Sequence, residues 1–387
     1  MDIIKNPQFN WLKLKWVFIW ISLVFFILGV FSLLVNGLNL GIDFTGGTLI
    51  YVKFRKQPQP ERIRRALQVA GLAAQEVVRF DELSKNEVQI RLGHSESEEL
   101  RDLSLEGKLV FEALQSEYEQ NKIEKLNLNK IVKTELSAYL QQFDPEKIGE
   151  SSSVSDFNQH YYQLAERIIN YRTTSGGVIK DFSELEMVEL SAAVRAFLRE
   201  QIYLGQFSII SVESVGPKVG QELRTRANYA IFFSLLGMLI YIAFRFRPVY
   251  GVAALVALFH DVFITVAAFS LTNQEISLTV IAALLTLVGY SINDTIVVFD
   301  RIRENLRLMR RADLAEVINV SINQTLNRTI MTSGMTFLAV SALYVFGGQI
   351  LRGFSFALVI GILVGTYSSI AIASPIVLWW QDYRNSA

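Results

Sequence analysis

Six stretches of this 387-residue sequence are apolar over 16–36, 227–245, 249–271, 277–299, 330–346 and 354–379. Each is close to the roughly 20 residues a helix needs to cross a lipid bilayer. Lipid offers no partner to a backbone N–H or C=O, so each stretch must satisfy its own hydrogen bonds, and a helix does so. Buried helices of a large soluble protein are the alternative. The five stretches from 227 onward follow one another through short connections, which favours membrane spans. The first stretch follows Lys13 and Lys15, exceeds a signal-peptide core, and ends at Val35-Asn36-Gly37, which lacks a small-residue cleavage site. It reads as a retained signal anchor.

Hydrophobic residues make up 51% of the chain, a fraction soluble proteins also approach. Their distribution carries the information: residues 56–225 are rich in charged and polar side chains. Lys+Arg and Asp+Glu both total 37, which gives no electrostatic case for nucleic acid. With no cysteine there is no disulfide framework, thiol nucleophile or cysteine metal site. No Gly-rich phosphate loop with a lysine is present, which argues against ATP use. The three histidines are scattered and no nucleophile–base arrangement is visible, so neither an enzyme nor a bound cofactor or metal is expected.

The positive-inside rule orients the spans. With residues 1–15 cytoplasmic and 16–36 as the first span, Arg245 and Arg247 of the second link fall on the cytoplasmic side. Arg301, Arg303, Arg307, Arg310 and Arg311 of the fourth link do too, as do Trp379, Trp380 and residues 381–387. The links near Asn273–Glu275 and Gly347–Arg352 lie outside. The soluble insertion, 37–226, is then extracytoplasmic, and 227–380 holds spans two to six.

Within the insertion, Leu49–Phe54, Val77–Phe80, Val88–Leu92 and Phe207–Val212 read as strands. A helix over 60–70 places Ile63, Leu67 and Ala70 on one face, with Gly71 as its stop. From about 96 to 203 the pattern is helical. Val132, Leu136, Tyr139 and Phe143 form one stripe; Phe157, Tyr161, Leu164, Ile168 and Tyr171 form another. Such stripes are core far more often than binding sites. Glu150-Ser151-Ser152-Ser153 and Ser175-Gly176-Gly177 separate the helices. The order predicts a small α+β domain carrying a helical insertion at 96–203. His94 and His160 are isolated, with surface or local hydrogen-bonding roles.

Several motifs stand in order along the chain. Gly41-Ile42-Asp43-Phe44-Thr45-Gly46-Gly47-Thr48 follows the first span, and Val212-Glu213-Ser214-Val215-Gly216-Pro217-Lys218-Val219-Gly220 precedes the second. His260-Asp261-Val262 lies on the third span. Gly289-Tyr290-Ser291-Ile292-Asn293-Asp294-Thr295, then Val298 to Asn305, lie on the fourth. Asn327-Arg328-Thr329 and Thr332-Ser333-Gly334 lie on the fifth. Together they resemble the SecF family of the resistance-nodulation-division superfamily, over about 1–95 and 205–384. The resemblance implies half of a resistance-nodulation-division transporter: six transmembrane helices plus the extracytoplasmic α+β domain. It also implies an inner-membrane subunit that couples the proton or sodium gradient to late steps of polypeptide translocation. The partners it implies are a separate SecD chain, the SecY/SecE/SecG channel, YajC, the translocating polypeptide and membrane lipid. Family members usually have a shorter domain at 96–203. A small-molecule or lipid exporter subunit and a non-transporting assembly factor stay open as alternatives.

An ionisable group in the hydrocarbon zone costs a few kcal/mol, about 2.5–3.5 on insertion scales. It persists where it pairs, meets water or moves an ion. Asp294 lies near the middle of the fourth span, on one helix face with Tyr290 and Ser291. Arg328 sits just before the fifth span and Asp261 near the middle of the third. Burial and a nearby guanidinium act oppositely on a carboxyl group, so a site with both can switch protonation, while arginine stays charged as a movable counter-ion. The family resemblance assigns Asp294 as carrier and Arg328 as partner. The competing reading is that Asp294 only hydrogen-bonds neighbouring helices. His260, Asp261, Tyr290, Ser291 and Asn293 are supporting polar residues, orienting helices or lining the same cavity. Asp300, Arg301 and Arg303 are read as solvated or lipid-facing. Gly46-Gly47 is read as a tight turn into the first strand, and Gly361 with Gly365 as a small-residue packing pair.

Overall fold

A computed structural model of the chain describes residues 7–72, 74–80, 86–93, 103–119, 125–149, 153–246 and 248–386. His94, Arg247 and Glu150, Ser151 and Ser152 of the expected linker lie outside the described residues. In chain order the elements are α1 (Lys15–Val35), α2 (Ile42–Thr45), β1 (Gly47–Phe54), α3 (Pro60–Val69), β2 (Ala74–Phe80), β3 (Glu87–Leu92), α4 (Leu103–Tyr118), β4 (Leu126–Asn127), α5 (Lys133–Phe143), α6 (Val154–Thr174), α7 (Ala192–Gln201), β5 (Ile202–Tyr203) and β6 (Phe207–Val215). The helices α8 (Pro217–Arg245), α9 (Pro248–Thr272), α10 (Leu278–Leu308), α11 (Leu314–Phe346), α12 (Gly348–Ser368) and α13 (Ser374–Ser386) follow. The chain divides into two compact units, Met1–Thr45 with Gly220–Ala387, and Gly46–Val219.

The first unit is a helix bundle. Six helical stretches among the described residues are long and apolar enough to cross a membrane. Trp20, Phe31 and Leu34 on α1 and Phe232, Phe233 and Phe244 on α8 are exposed, which suits lipid and not water. Helices run past the apolar stretches where packing continues. The fifth helix begins at Leu314, not near 330, because Leu314, Val317, Ile318, Ser321 and Ile322 are buried along one face, a helical stripe that hydropathy alone does not mark. Likewise α10 runs on to Leu308, burying Ile302 and Asn305. The sixth stretch is not one α-helix: a π-helical segment, Ser369–Ala373, joins α12 to α13. The Ser374 hydroxyl donates to Ser369 O, five residues back, at 3.0 Å.

Side-chain amides hold the amino-terminal 3₁₀ turn, Trp11–Leu14, onto α11. Trp11 Nε1 donates to Asn323 Oδ1 at 2.9 Å and Leu12 N to Asn319 Oδ1 at 3.1 Å. Helices α10 and α12 approach closely at Gly361 and Gly365. A Cβ on Gly361 would lie 2.4 Å from Leu287 Cδ2, and one on Gly365 would lie 3.2 Å from Ser291 Cβ, which is the small-residue contact the spacing suggested.

The second unit carries an antiparallel four-stranded sheet in the order β2-β3-β1-β6. Two helices cover it. Ile63, Ala66 and Leu67 of α3 and Val110, Phe111 and Leu114 of α4 pack on Ile50, Val52, Val88, Ile90 and Phe207. Ala66, not Ala70, completes the buried face of α3; Ala70 is exposed beside the terminating Gly71. The connectivity β1-α3-β2-β3-α4-β6 is a split βαβ arrangement. Thus α4, expected as the start of a helical insertion at 96–203, is the second helix of the sheet domain. It belongs there because its apolar face has the same sheet to cover as α3.

The true insertion lies between Glu119 and Gln206 and has a core of its own: Leu136, Leu140, Tyr161, Leu164, Ile168, Leu185, Val194 and Leu198. The α6 stripe packs as expected. On α5, Leu136 and Leu140 point inward, while Val132 and Phe143 are half exposed, at 52% and 48%. A carboxylate closes the neck: buried Glu119 accepts from Tyr203 Oη at 2.8 Å and from Gln206 N at 2.7 Å. Asn129 adds a clasp, its amide donating to Ile179 O and Gly205 O at 3.1 and 2.9 Å. His160 contacts Glu146 at 2.5 Å, a local hydrogen bond.

A candidate ion-relay site in the helix bundle

The polar groups in the apolar core come from four helices. Asp294, on α10, is 2% exposed. Its Oδ2 accepts from Ser333 Oγ of α11 at 2.7 Å. A carboxylate this buried needs such donors, since an unpaired one would cost several kcal/mol or lose its charge. Arg328 lies one turn and a half before Ser333, in mid-helix rather than before the span. Its side chain is exposed on the outer face of α11. No ion pair joins Asp294 to Arg328 among the described residues, although their charges are close enough to attract. The predicted partners therefore share a region without touching, and the hydrogen-bonded partner of Asp294 is a serine.

Asp261, on α9, forms a second centre. It is 0% exposed. Its Oδ2 accepts from Ser291 Oγ of α10 and from Ser368 Oγ of α12, both at 2.6 Å. Its Oδ1 lies 3.0 Å from His260 Nδ1. With Asp261 ionised, His260 donates from Nδ1, and its Nε2 is buried with no hydrogen-bond partner among the described residues; Tyr290 Oη is likewise unpartnered. Ser291 thus serves Asp261, not Asp294, though the two residues lie one turn apart on α10. Asn293 is exposed and points out of the cluster.

Ser333 and Ser368 are the groups that sequence reasoning did not assign. Ser333 stood in a noted motif, and its one signal was a hydroxyl placed amid the apolar residues of the fifth span. Ser368 had no signal, because a serine in a membrane helix usually bonds its own backbone. Outside this core, Arg245 pairs with Asp300 at 2.6 Å, Arg303 with Asp300 at 3.8 Å and Arg301 with Glu304 at 2.5 Å. These charges are partnered at a helix end. Among the described residues no group of three His, Asp or Glu side chains is placed to hold a metal ion.

Two family models match the chain: Protein export membrane protein SecD/SecF, C-terminal, over residues 197–383, and the SecD/SecF GG motif over residues 31–58. The protein translocase subunit SecF of Koribacter versatilis is 45% identical over 391 residues, covering 99% of this chain and 94% of that protein. The chain belongs to the SecF family. Another SecF, from Calditerrivibrio nitroreducens, is 35% identical and covers 99% of this chain and 98% of its own length. Both SecF alignments run through the inserted helices, so the enlarged soluble domain is shared with these relatives. The crystal structure of SecDF, a translocon-associated membrane protein, from Thermus thermophilus matches with a TM-score of 0.64 at 32% identity. That match covers 97% of this chain and 39% of the SecDF chain.

Proposed function

We propose that this chain is the SecF-type subunit of a protein translocase, which pairs with a SecD chain and couples an ion gradient to polypeptide export. One observation carries the reading: in a chain of the SecF family, a carboxylate buried in an apolar helix bundle is held by a single serine within reach of an arginine's charge. Such a group can take up an ion from one side and release it to the other when its surroundings change. Asp294 is the carrier and Arg328 the charge that favours its ionised state. Arg328 lies on the outer face of α11, so a change in packing there alters the balance at Asp294 without any bond of its own being broken.

The soluble unit lies outside the cytoplasm of a bacterial inner membrane, an orientation supported by Arg245, Arg301, Arg303, Arg307, Arg310 and Arg311 at one end of the bundle. Each charge that crosses supplies about 2.3 kcal/mol per 100 mV, enough to bias a domain between two positions. The chain works beside SecY/SecE/SecG and YajC, on translocating polypeptide, and performs no covalent chemistry. The test is export into inverted vesicles under imposed H⁺ or Na⁺ gradients. Asp294→Asn is expected to remove the gradient-dependent part of export while leaving insertion and SecD association intact; normal export by that variant overturns the carrier role. The gradient that drives the unsubstituted chain identifies the ion.

A further inference from the structure

The segment Asn39–Thr45 lies inside the stretch matched by the GG motif, yet ion relay does not use it. It runs beside the connection between α9 and α10. Gly41 N donates to Ile276 O at 2.9 Å and Ile276 N to Asn39 O at 2.8 Å, and Leu40 pairs with Ile276 as a parallel bridge. The approach is so close that a Cβ on Gly41 would lie 2.7 Å from Glu275 Oε1 and 3.1 Å from Ile276 O. Leu40 and Phe44 pack in one cluster with Ile276, Val280 and Tyr290.

The first turn of α10 shows what this strap does. A helix normally receives its amino-terminal cap from the residue just before it. Ser277 stands there with extended backbone, but makes no cap; its hydroxyl pairs with Thr279 Oγ1 at 2.7 Å. Instead Leu278 N, the first amide of α10, donates to Asp43 Oδ2 at 2.8 Å. The cap comes from a residue 235 positions away in sequence, and its negative charge faces the positive end of the helix dipole.

From Leu278 to Asp294 is one unbroken helix, about 24 Å at 1.5 Å per residue. It moves along its axis as a rod. Two residues after Thr45, β1 has begun, past Gly46 and Gly47 with φ of +71° and +122°.

We infer that Asp43 is a positioning residue of the relay helix: by capping α10 from a distance it ties the axial position of that helix to residues 39–45, and through them to the start of β1. The inference rests on the ion-relay reading for what α10 carries. It predicts that the GG motif matters through a hydrogen bond to one amide, not through a charge that moves.

The test uses the full chain with its SecD partner, carrying Asp43→Asn, Asp43→Ser, Asp43→Thr or Asp43→Ala. Asn and Ser cap helices about as well as Asp, so both variants should keep gradient-driven export within about twofold. Thr is weaker and should fall between Ser and Ala. Asp43→Ala should lose at least about fivefold, and hydrogen exchange at the amides of Leu278 to Ile281 should quicken about fivefold while the amides around Asp294 stay protected. If Asp43→Asn loses as much as Asp43→Ala, the charge is what matters and the inference falls. It falls equally if Asp43→Ala exports normally, or if exchange at Leu278 does not change. Should Asp43→Ala fail to insert, the graded order of Asn, Ser and Thr decides in the same way. Asp294→Asn run in parallel keeps the two readings apart: normal export there overturns the relay, while the Leu278 exchange still reports on the cap.

Discussion

A single hydroxyl separates the residue that holds a charge in this bundle from the one that attracts it. Asp294 bonds Ser333, and Arg328 acts from outside that contact. Ser333→Ala is therefore expected to weaken gradient-driven export by about tenfold or less, against complete loss in Asp294→Asn. A buried acceptor deprived of one donor costs about 1–3 kcal/mol, whereas the amide cannot carry a proton at all; vesicle export with both variants checks the order. In the soluble unit, Asp144 provides a pH test. Burial pushes its carboxyl up, but bonds from the Tyr161 hydroxyl and the amides of Gly149, Ile148 and Lys147 outweigh burial and hold it below the ordinary value. The stabilisation is full above the ordinary aspartate value, about 3.9, and is lost as pH falls through the lower folded value. Asp144→Asn suits the left-handed backbone there, φ +42°, and should remove this acid dependence. Pepsin cleavage of 125–205 in the intact chain, measured across falling pH, reads it out. At this scale the sequence shows which ionisable groups stand in apolar helices, because each is anomalous where it stands. It does not show their partners: Ser333, Ser368 and Asp43 are ordinary residues whose roles depend on which helices meet.

Helix contacts decide how rigidly these groups are held. Gly361 lets α12 lie against Leu287 of α10, where a Cβ would stand 2.4 Å from Cδ2. Gly361→Val should destabilise the bundle by about 1–3 kcal/mol, the usual range for overpacking. The added change Leu287→Ala should recover part of that loss. Thermal unfolding in detergent, followed through the tryptophans, measures both. The same comparison shows where legibility ends for elements. Apolar runs located all six spans, since the bilayer imposes a length and a composition together. They did not locate the ends of α10 and α11, which continue as amphipathic helices where only one face is buried. Nor did they show the break between α12 and α13, because a π-helical turn has no compositional mark.

At the scale of the whole molecule, the soluble unit is two cores joined at a narrow neck. Sequence periodicity found both groups of helices but assigned α4 to the wrong one, since a helix stripe records that a face is buried and not what it is buried against. The chain leaves the sheet domain at Glu119 and returns at Gln206, and these two residues are bonded. Replacing residues 120–205 with a short Gly-Ser linker should leave the sheet folded, with exchange protection of the β1 and β3 amides kept within about tenfold, a loss of about 1.4 kcal/mol. Collapse of that protection would show that the inserted helices complete the sheet's core. The π-helical segment Ser369–Ala373 has a further consequence. It holds one residue more per turn than the helices on either side, so it sets the rotational phase of everything after it. Removing one residue there would let an ordinary helix run through, yet it would roll the final turns by about 100°, swinging Trp379 off its contact with Trp16, whose ring centre is 5.9 Å away. Ser368, just before the segment, would keep its grip on Asp261. A shortened chain of this kind would have its aromatic anchor facing the wrong way above an intact polar centre.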